Sequence, residues 1–287
     1  MKLSDKSNKS MDADRVEAVI KMIAFRKQME KRLDSSIAKR YWGNDIVELL
    51  ENLGGKELVN KWIADSDAIF ESRRAEQLRY AERIIKEKWY LRYGVLFVGV
   101  SGSLAAGTYK EEDDIDLFVV TKDYTAWIYR GLVKLFGKGI VRYFNEDENS
   151  GKLCINFVCE ERGTTFDEDI FTLHELLHLQ PVYNKEYHLK LLSSNPWVAT
   201  KFQVSMPASL ESARTRSSNF IKIANSAARK LQILYMRRTS HAPDTTRINE
   251  SYRRGRIEFY PSQFHEMVMK QYEQAYSEIK GEFKKHT

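Results

Sequence analysis

Apolar residues recur at helical spacing from Asp14 to Leu33, at Val16, Val19, Ile20, Ile23 and Leu33, with Met29 close to the same stripe. That spacing predicts one apolar face of an α-helix. Residues 1–10 carry no such stripe and read as a disordered tail. A shorter helix is predicted over Asp45–Leu53, with Asp45 as N-cap and Gly54-Gly55 as its stop. Residues Glu57–Trp89 are almost free of Gly and Pro and rich in Ala, Glu, Arg and Lys, which predicts one or two amphipathic helices. The period then changes. Gly94–Val100 and Ile115–Val120 are short apolar runs bounded by turn formers, the pattern of buried strands. Thr125–Phe136 returns to helical spacing. Ile140–Phe144 and Leu153–Cys159 predict further strands, separated by a turn-like segment over 145–151. Beyond Asp169 the chain reads as helical, with breaks near Pro181, Pro196, Pro207 and His241–Asp244, and a last helix over Pro261–Phe283.

A strand-rich centre between helical flanks predicts an α+β fold: a small mixed β-sheet core with helical N- and C-terminal flanks. The predicted regions are 1–90, 91–200 and 201–287. There is no internal repeat and no low-complexity segment.

Composition narrows the class. The chain has 287 residues, 43% hydrophobic and 30% charged, which excludes disordered and fibrous proteins. No apolar run reaches the length of a membrane-spanning helix. The first residues, MKLSDKSNKSMDAD, lack the apolar segment of a secretory signal. Two cysteines, Cys154 and Cys159, exclude a disulfide scaffold and a Cys-rich zinc site; they read as free buried thiols, and the expected location is cytoplasmic. The net charge of +6 is uneven: 16 basic and 8 acidic residues fall in 201–287, against 30 and 32 in the 200 residues before. A basic C-terminal third suits a polyanion such as RNA, or a triphosphate. An ordinary solvated helical surface accounts for it equally well.

The segment with chemistry is Gly99–Val120: strand, small-residue turn, short helix, acidic turn, strand. Gly102 lacks a Cβ and lets backbone approach a phosphate. Ser103 offers a hydroxyl and an N–H to an anion at a helix start. Asp114 and Asp116 flank Ile115 and so share one face of a strand. Paired carboxylates repel unless a cation lies between them, and Mg²⁺ takes hard oxygen ligands together with substrate phosphates. A phosphate-cradling turn facing Asp-x-Asp predicts metal-dependent phosphoryl or nucleotidyl transfer.

Gly102-Ser103 followed by Asp114-Ile115-Asp116-Leu117 resembles the signature of the DNA polymerase β-like nucleotidyltransferases, Gly-Ser and then Asp-hydrophobic-Asp-hydrophobic after nine to thirteen residues. The Gly-Ser-Leu-Ala turn, the Asp-Asp-Ile-Asp-Leu strand and Trp127-Ile-Tyr-Arg130 are similar to uncharacterised bacterial and archaeal nucleotidyltransferase-domain proteins. The likeness extends through Asn156 and Ile170-Phe-Thr172 to Asn195-Pro-Trp197, about 80–200, and only its first motif is specific. It implies a nucleotidyltransferase core, Mg²⁺ (or Mn²⁺), and an NTP such as ATP as donor. It also implies a third acid on a later strand. There the central position holds Asn156, and Glu160 has the same parity. Three readings stay open: a two-carboxylate enzyme, Glu160 as the stand-in, or a catalytically degenerate nucleotide- or RNA-binding protein.

Arg130 and Lys134 share a helix face beyond the Asp strand and are candidates for the triphosphate, with Trp127 as support; an exposed basic face over a buried Trp explains them too. Lys122 and Lys152 are weaker candidates. His174-Glu175-Leu176-Leu177-His178 is a literal H-E-x-x-H, which on a helix can hold Zn²⁺ with Glu175 as general base. Pro181 ends that helix early, no G-x-x-H follows, and a third ligand would have to be Glu186, His188 or Glu211. The plainer reading is an amphipathic helix. Arg229, Lys230, Arg237, Arg238, Arg253, Arg254 and Arg256, with Phe259-Tyr260, suit a single-stranded RNA or tRNA acceptor. Protein side chains and small molecules are equally compatible acceptors.

Overall fold

A computed structural model describes residues 2–110, 113–142, 151–206, 217–238, 245–258 and 262–284. The N-terminal part runs α1 (Lys2–Lys27), β1 (Leu33–Asp34), α2 (Ser35–Trp42), α3 (Ile46–Gly54), α4 (Lys56–Trp62), β2 (Ile63–Ala64) and α5 (Ala68–Glu87). The centre runs β3 (Val95–Val100), α6 (Gly102–Ala106), β4 (Ile115–Thr121), α7 (Ala126–Phe136), β5 (Leu153–Glu160), α8 (Ile170–His178) and β6 (Gln180–Tyr183). There follow α9 (Tyr187–Ser193), α10 (Trp197–Phe202), α11 (Asn219–Arg238), α12 (Thr245–Arg253), β7 (Arg256–Glu258) and α13 (Ser262–Lys284).

The main sheet has the order β6-β3-β4-β5-β7, with β4 and β5 parallel and the other pairs antiparallel. Alternation along β4 divides the core. Phe118 and Val120 join Phe97 and Cys159 in a cluster with α1, α2, α3, α8, α10 and α13. Ile115, Leu117 and Val119 join Val98, Val158 and Ile257 in a second cluster with α5 and α7. Helices α1 and α13, from the two ends of the chain, therefore pack together on the first face, with α1 also against α8, while α5 and α11 lie on the second. At the start of α7, the side chain of Asn225 accepts from the N–H groups of Trp127 and Ile128 at 2.9 and 3.2 Å, which ties α11 to that helix.

The mixed sheet with helical flanks agrees with the expected α+β fold. Several details differ. Helix α1 reaches back to Lys2, where a tail was expected; no Gly or Pro in that stretch interrupts it. Ile140–Phe144 is not a strand as far as Arg142: Val141 makes one isolated bridge to Leu153, and 143–144 lie outside the described residues. Strands β6 and β7 were not expected. Both are short edge strands, and β6 carries Pro181, which a sheet tolerates only where no ladder N–H is needed.

Candidate active site

The turn between β3 and α6 sets the geometry. Gly102 has φ +64°, and a Cβ on it would lie 2.2 Å from Asp116 Oδ2. The bare Cα therefore lets the aspartate sit directly against the turn. Ser103 donates its hydroxyl to Asp113 Oδ2 at 2.9 Å, and the Lys110 N–H donates to the same oxygen at 3.0 Å. Asp113, which the sequence reading passed over, thus ties the loop down.

Asp114, Asp116 and Cys154 offer ligand atoms that all lie within 4.8 Å of one another, a group able to hold a metal ion. Asp116 is paired with Cys154 across β4 and β5. Asp114 binds Arg142, whose guanidinium is 2.8 Å away and about one third exposed. Burial pushes the Asp116 carboxyl up to about 7; the charges of Asp114 and Glu175 add to the rise, and Cys154 and Arg142 oppose it. Burial, with the neighbouring aspartates, also pushes the Cys154 thiol up.

Glu175 belongs to this neighbourhood. Helix α8 packs against α6, and the Gly102 N–H steadies the charged form of Glu175 against the burial that raises its carboxyl to about 7. Among the described residues the H-E-x-x-H motif assembles no zinc site. His174 and His178 are buried and stacked, ring centroids 4.1 Å apart, and His178 Nδ1 bonds the His174 carbonyl at 2.8 Å. His188 bonds the Leu176 carbonyl through Nε2 at 2.9 Å. Glu211 lies outside the described residues. No histidine enters the metal-capable group found among the described residues.

Other predicted residues fall elsewhere. From Asp116 to Phe118 the partner on β5 moves from Cys154 to Phe157, one extra residue on β5 and so a bulge. The parity carried from Asn156 to Glu160 ignored that bulge. Cys154, not Asn156, stands opposite Asp116; the Asn156 side chain lies outside what is described. Glu160 pairs with Thr121 at the far end of β4. It is fully buried, bound to Arg162 Nε at 2.8 Å and to the Ala126 N–H at 3.4 Å, with the Tyr252 hydroxyl 3.5 Å away. Burial raises its carboxyl and Arg162 opposes that rise. Glu160 is a structural anchor, not part of the aspartate cluster.

Arg130 and Lys134 lie on α7, whose Ala126, Trp127, Tyr129 and Val133 pack with Ile115 and Leu117. Asp116 has the opposite parity, so α7 covers the other face of the sheet. Burial lowers Arg130 to about 10, and Lys134 sits over the Tyr235 ring at 5.5 Å. Lys122, just past β4, is likewise at the end remote from Asp114. The Lys152 carbonyl, by contrast, accepts from the Ile115 N–H at 2.8 Å beside the aspartates. In the basic C-terminal third, Arg256 is buried, donates to the Gly163 carbonyl at 2.9 Å and lies 4.4 Å from the Phe166 ring centroid. Arg229 lies over Tyr252, while Lys230, Arg237 and Arg238 are exposed. Phe259 and Tyr260 lie outside the described residues.

No helix among the described residues is long and apolar enough to cross a membrane. No curated protein and no solved structure matches the chain. Residues 78–171 match the family model of the nucleotidyltransferase domain, a span that holds the Gly102 turn, both aspartates, Cys154 and the start of α8. This segment of the chain is accordingly a nucleotidyltransferase domain of the DNA polymerase β-like superfamily.

Proposed function

We propose that the protein is a metal-dependent nucleotidyltransferase that moves an NMP from an NTP to an acceptor hydroxyl. The observation that carries this reading is the placement of Asp116 directly against Gly102, beside Asp114, within the matched segment. Two aspartate carboxylates are hard oxygen donors of the kind Mg²⁺ or Mn²⁺ takes. The third member, Cys154, is a thiol that burial and the neighbouring aspartates push up, so the negative charge facing a cation comes from the two aspartates. Asp116 is held up near 7 by burial and its acidic neighbours, a condition that a divalent cation relieves. When bound, the ion supplies neutralisation of the charge that develops on the α-phosphate.

The chain's own groups supply the rest. Gly102 leaves room for phosphate backbone contact, and the Ser103 hydroxyl can exchange its Asp113 partner for a phosphate oxygen. Arg142, partly exposed beside Asp114, is a cation at the edge of the site suited to a triphosphate. The exposed Lys230, Arg237 and Arg238 on α11 suit an RNA acceptor, and a protein hydroxyl or a small molecule fits the same chemistry. The proposed organisation is helical flanks over 1–90 and 201–287 around a core at 91–200, in the cytoplasm.

A second reading rests on Cys154. With a thiol opposite Asp116 in place of a carboxylate, the domain would bind nucleotide with little turnover. Incubating the protein with each α-labelled NTP, Mg²⁺ or Mn²⁺, and total tRNA separates the two. Label transfer that Asp116→Ala abolishes supports the enzyme. Nucleotide retention without pyrophosphate release supports the binder. Transfer that survives in Asp116→Ala overturns the proposed metal site.

A further inference from the structure

Four carboxylates surround the Gly102–Ser103 turn, and three of them have assigned partners. Asp113 accepts from Ser103 and Lys110, Asp114 pairs with Arg142, and Asp116 lies in the metal-capable group. Glu175 is the fourth. It reaches the turn from α8, facing the Gly102 N–H, and keeps 29% of its side chain exposed. Gly102 is thus the shared neighbour of Asp116 on one side and Glu175 on the other.

Behind Glu175 stands a buried relay. His174 is 2% exposed, and its Nδ1 has no hydrogen-bond partner but lies 3.4 Å from Glu175 Oε1. Its Nε2 lies 3.5 Å from an Arg26 guanidinium nitrogen. A guanidinium only donates, so Nε2 is the acceptor and the ring proton of the neutral imidazole sits on Nδ1, towards Glu175. Arg26 is itself fixed. It is 4% exposed and donates to the carbonyls of Ala106, at 2.5 Å, and Arg32, at 3.2 Å. Ala106 is the last residue of α6. Phe25 and His178 hold the His174 ring between them, with centroids 4.9 and 4.1 Å away.

We propose that Glu175 accepts the proton of the attacking hydroxyl, and that His174 and Arg26 are positioning residues for its carboxylate. The inference rests on the nucleotidyltransferase reading. The acceptor oxygen forms a bond to the α-phosphorus while the bond from that phosphorus to the bridging oxygen breaks. Pyrophosphate leaves with the electron pair, and the hydroxyl proton passes to a Glu175 oxygen and then to water. The exposed edge of Glu175 gives an acceptor access, and the buried edge keeps the carboxylate in one orientation.

The test uses Glu175→Gln and Glu175→Asp in the full chain, with α-labelled NTPs, Mn²⁺ and total tRNA. Glu175→Gln keeps an acceptor for the Gly102 N–H; it retains nucleotide within about twofold of wild type and loses transfer by about 100-fold or more. Glu175→Asp recovers part of the lost transfer. Long-range ¹H–¹⁵N spectra of the full chain place the His174 proton on Nδ1. If wild type transfers and Glu175→Gln transfers equally well, this inference falls and the nucleotidyltransferase reading stands. If Glu175→Gln loses nucleotide retention along with transfer, Glu175 serves binding and the proton-accepting role falls. A His174 proton found on Nε2 overturns the positioning relay. A wild type that transfers nothing overturns both readings.

Discussion

Gly102 lies so close to Asp116 that an added Cβ would stand 2.2 Å from the carboxylate oxygen Oδ2, on a backbone with φ +64°. The shortest clash is with the carboxylate oxygen, and Asp116 Cγ and Cβ are crowded at 3.0 and 3.1 Å, so the Asp116 side chain must shift while the surrounding fold survives Gly102→Ala. We expect a loss of about 1–3 kcal/mol from the left-handed backbone and the displaced carboxylate. Transfer should fall far more, by about 100-fold, because reacting groups tolerate little misplacement. Denaturant melts beside the labelled-NTP assay check this; full activity in Gly102→Ala would show that the close approach is incidental.

Asp116 gives the apoprotein a pH signature. Its carboxyl titrates near 7 in the folded chain and near 4 when unfolded. Between those values the folded state holds a proton that the unfolded state has released. Its contribution is therefore full below about pH 4 and lost as pH rises through 7. Asp116→Asn should remove that loss, making the variant more stable than wild type at pH 8 by on the order of 2 kcal/mol, with a much smaller difference at pH 5. Mg²⁺ should raise the wild-type unfolding temperature more at pH 8 than at pH 6, and leave Asp116→Asn nearly unchanged. Parallel pH-dependent melts of the two proteins decide it.

Glu160 should behave as an anchor. Its carboxylate satisfies Arg162 and the start of α7 inside the protein. Glu160→Ala leaves those donors without their acceptor, and we expect a loss of about 3 kcal/mol. At a temperature where the variant is folded, nucleotide affinity should match wild type. A stable but inactive Glu160→Ala would return this residue to the catalytic centre.

The stacked histidines of α8 should bind no metal. Elemental analysis of protein prepared without chelator is expected to find zinc far below one ion per chain, and EDTA should not shift the unfolding curve. Stoichiometric zinc that disappears in His178→Ala would reinstate the peptidase motif.

The parts of the site legible in the sequence are the local ones. Gly102-Ser103 and Asp114-Ile115-Asp116 sit within one turn and one strand, so spacing and alternation suffice to place them on a common face. Cys154 was hidden because the register that sets it opposite Asp116 is a cross-strand property, and the extra residue after it in β5 broke the parity carried on to Glu160. Glu175 was visible as a motif but carried the wrong chemistry. Its link to Gly102 exists only through the packing of α8 on α6, some seventy residues apart in sequence. Arg130 and Lys134 were drawn in by proximity along the chain, yet the helix that follows β4 covers the opposite face. Edge strands of three or four residues with Pro181 leave almost no periodic signal.

The pairing of β7 with β5 joins residues made about a hundred positions apart. During synthesis the outer rim of β5 emerges long before Arg256–Glu258, and until they arrive it is a bare template for any passing extended peptide. Ribosome-bound intermediates halted before residue 256 should therefore be the forms that recruit chaperones, and release from them should coincide with the arrival of a three-residue segment, Arg256–Glu258.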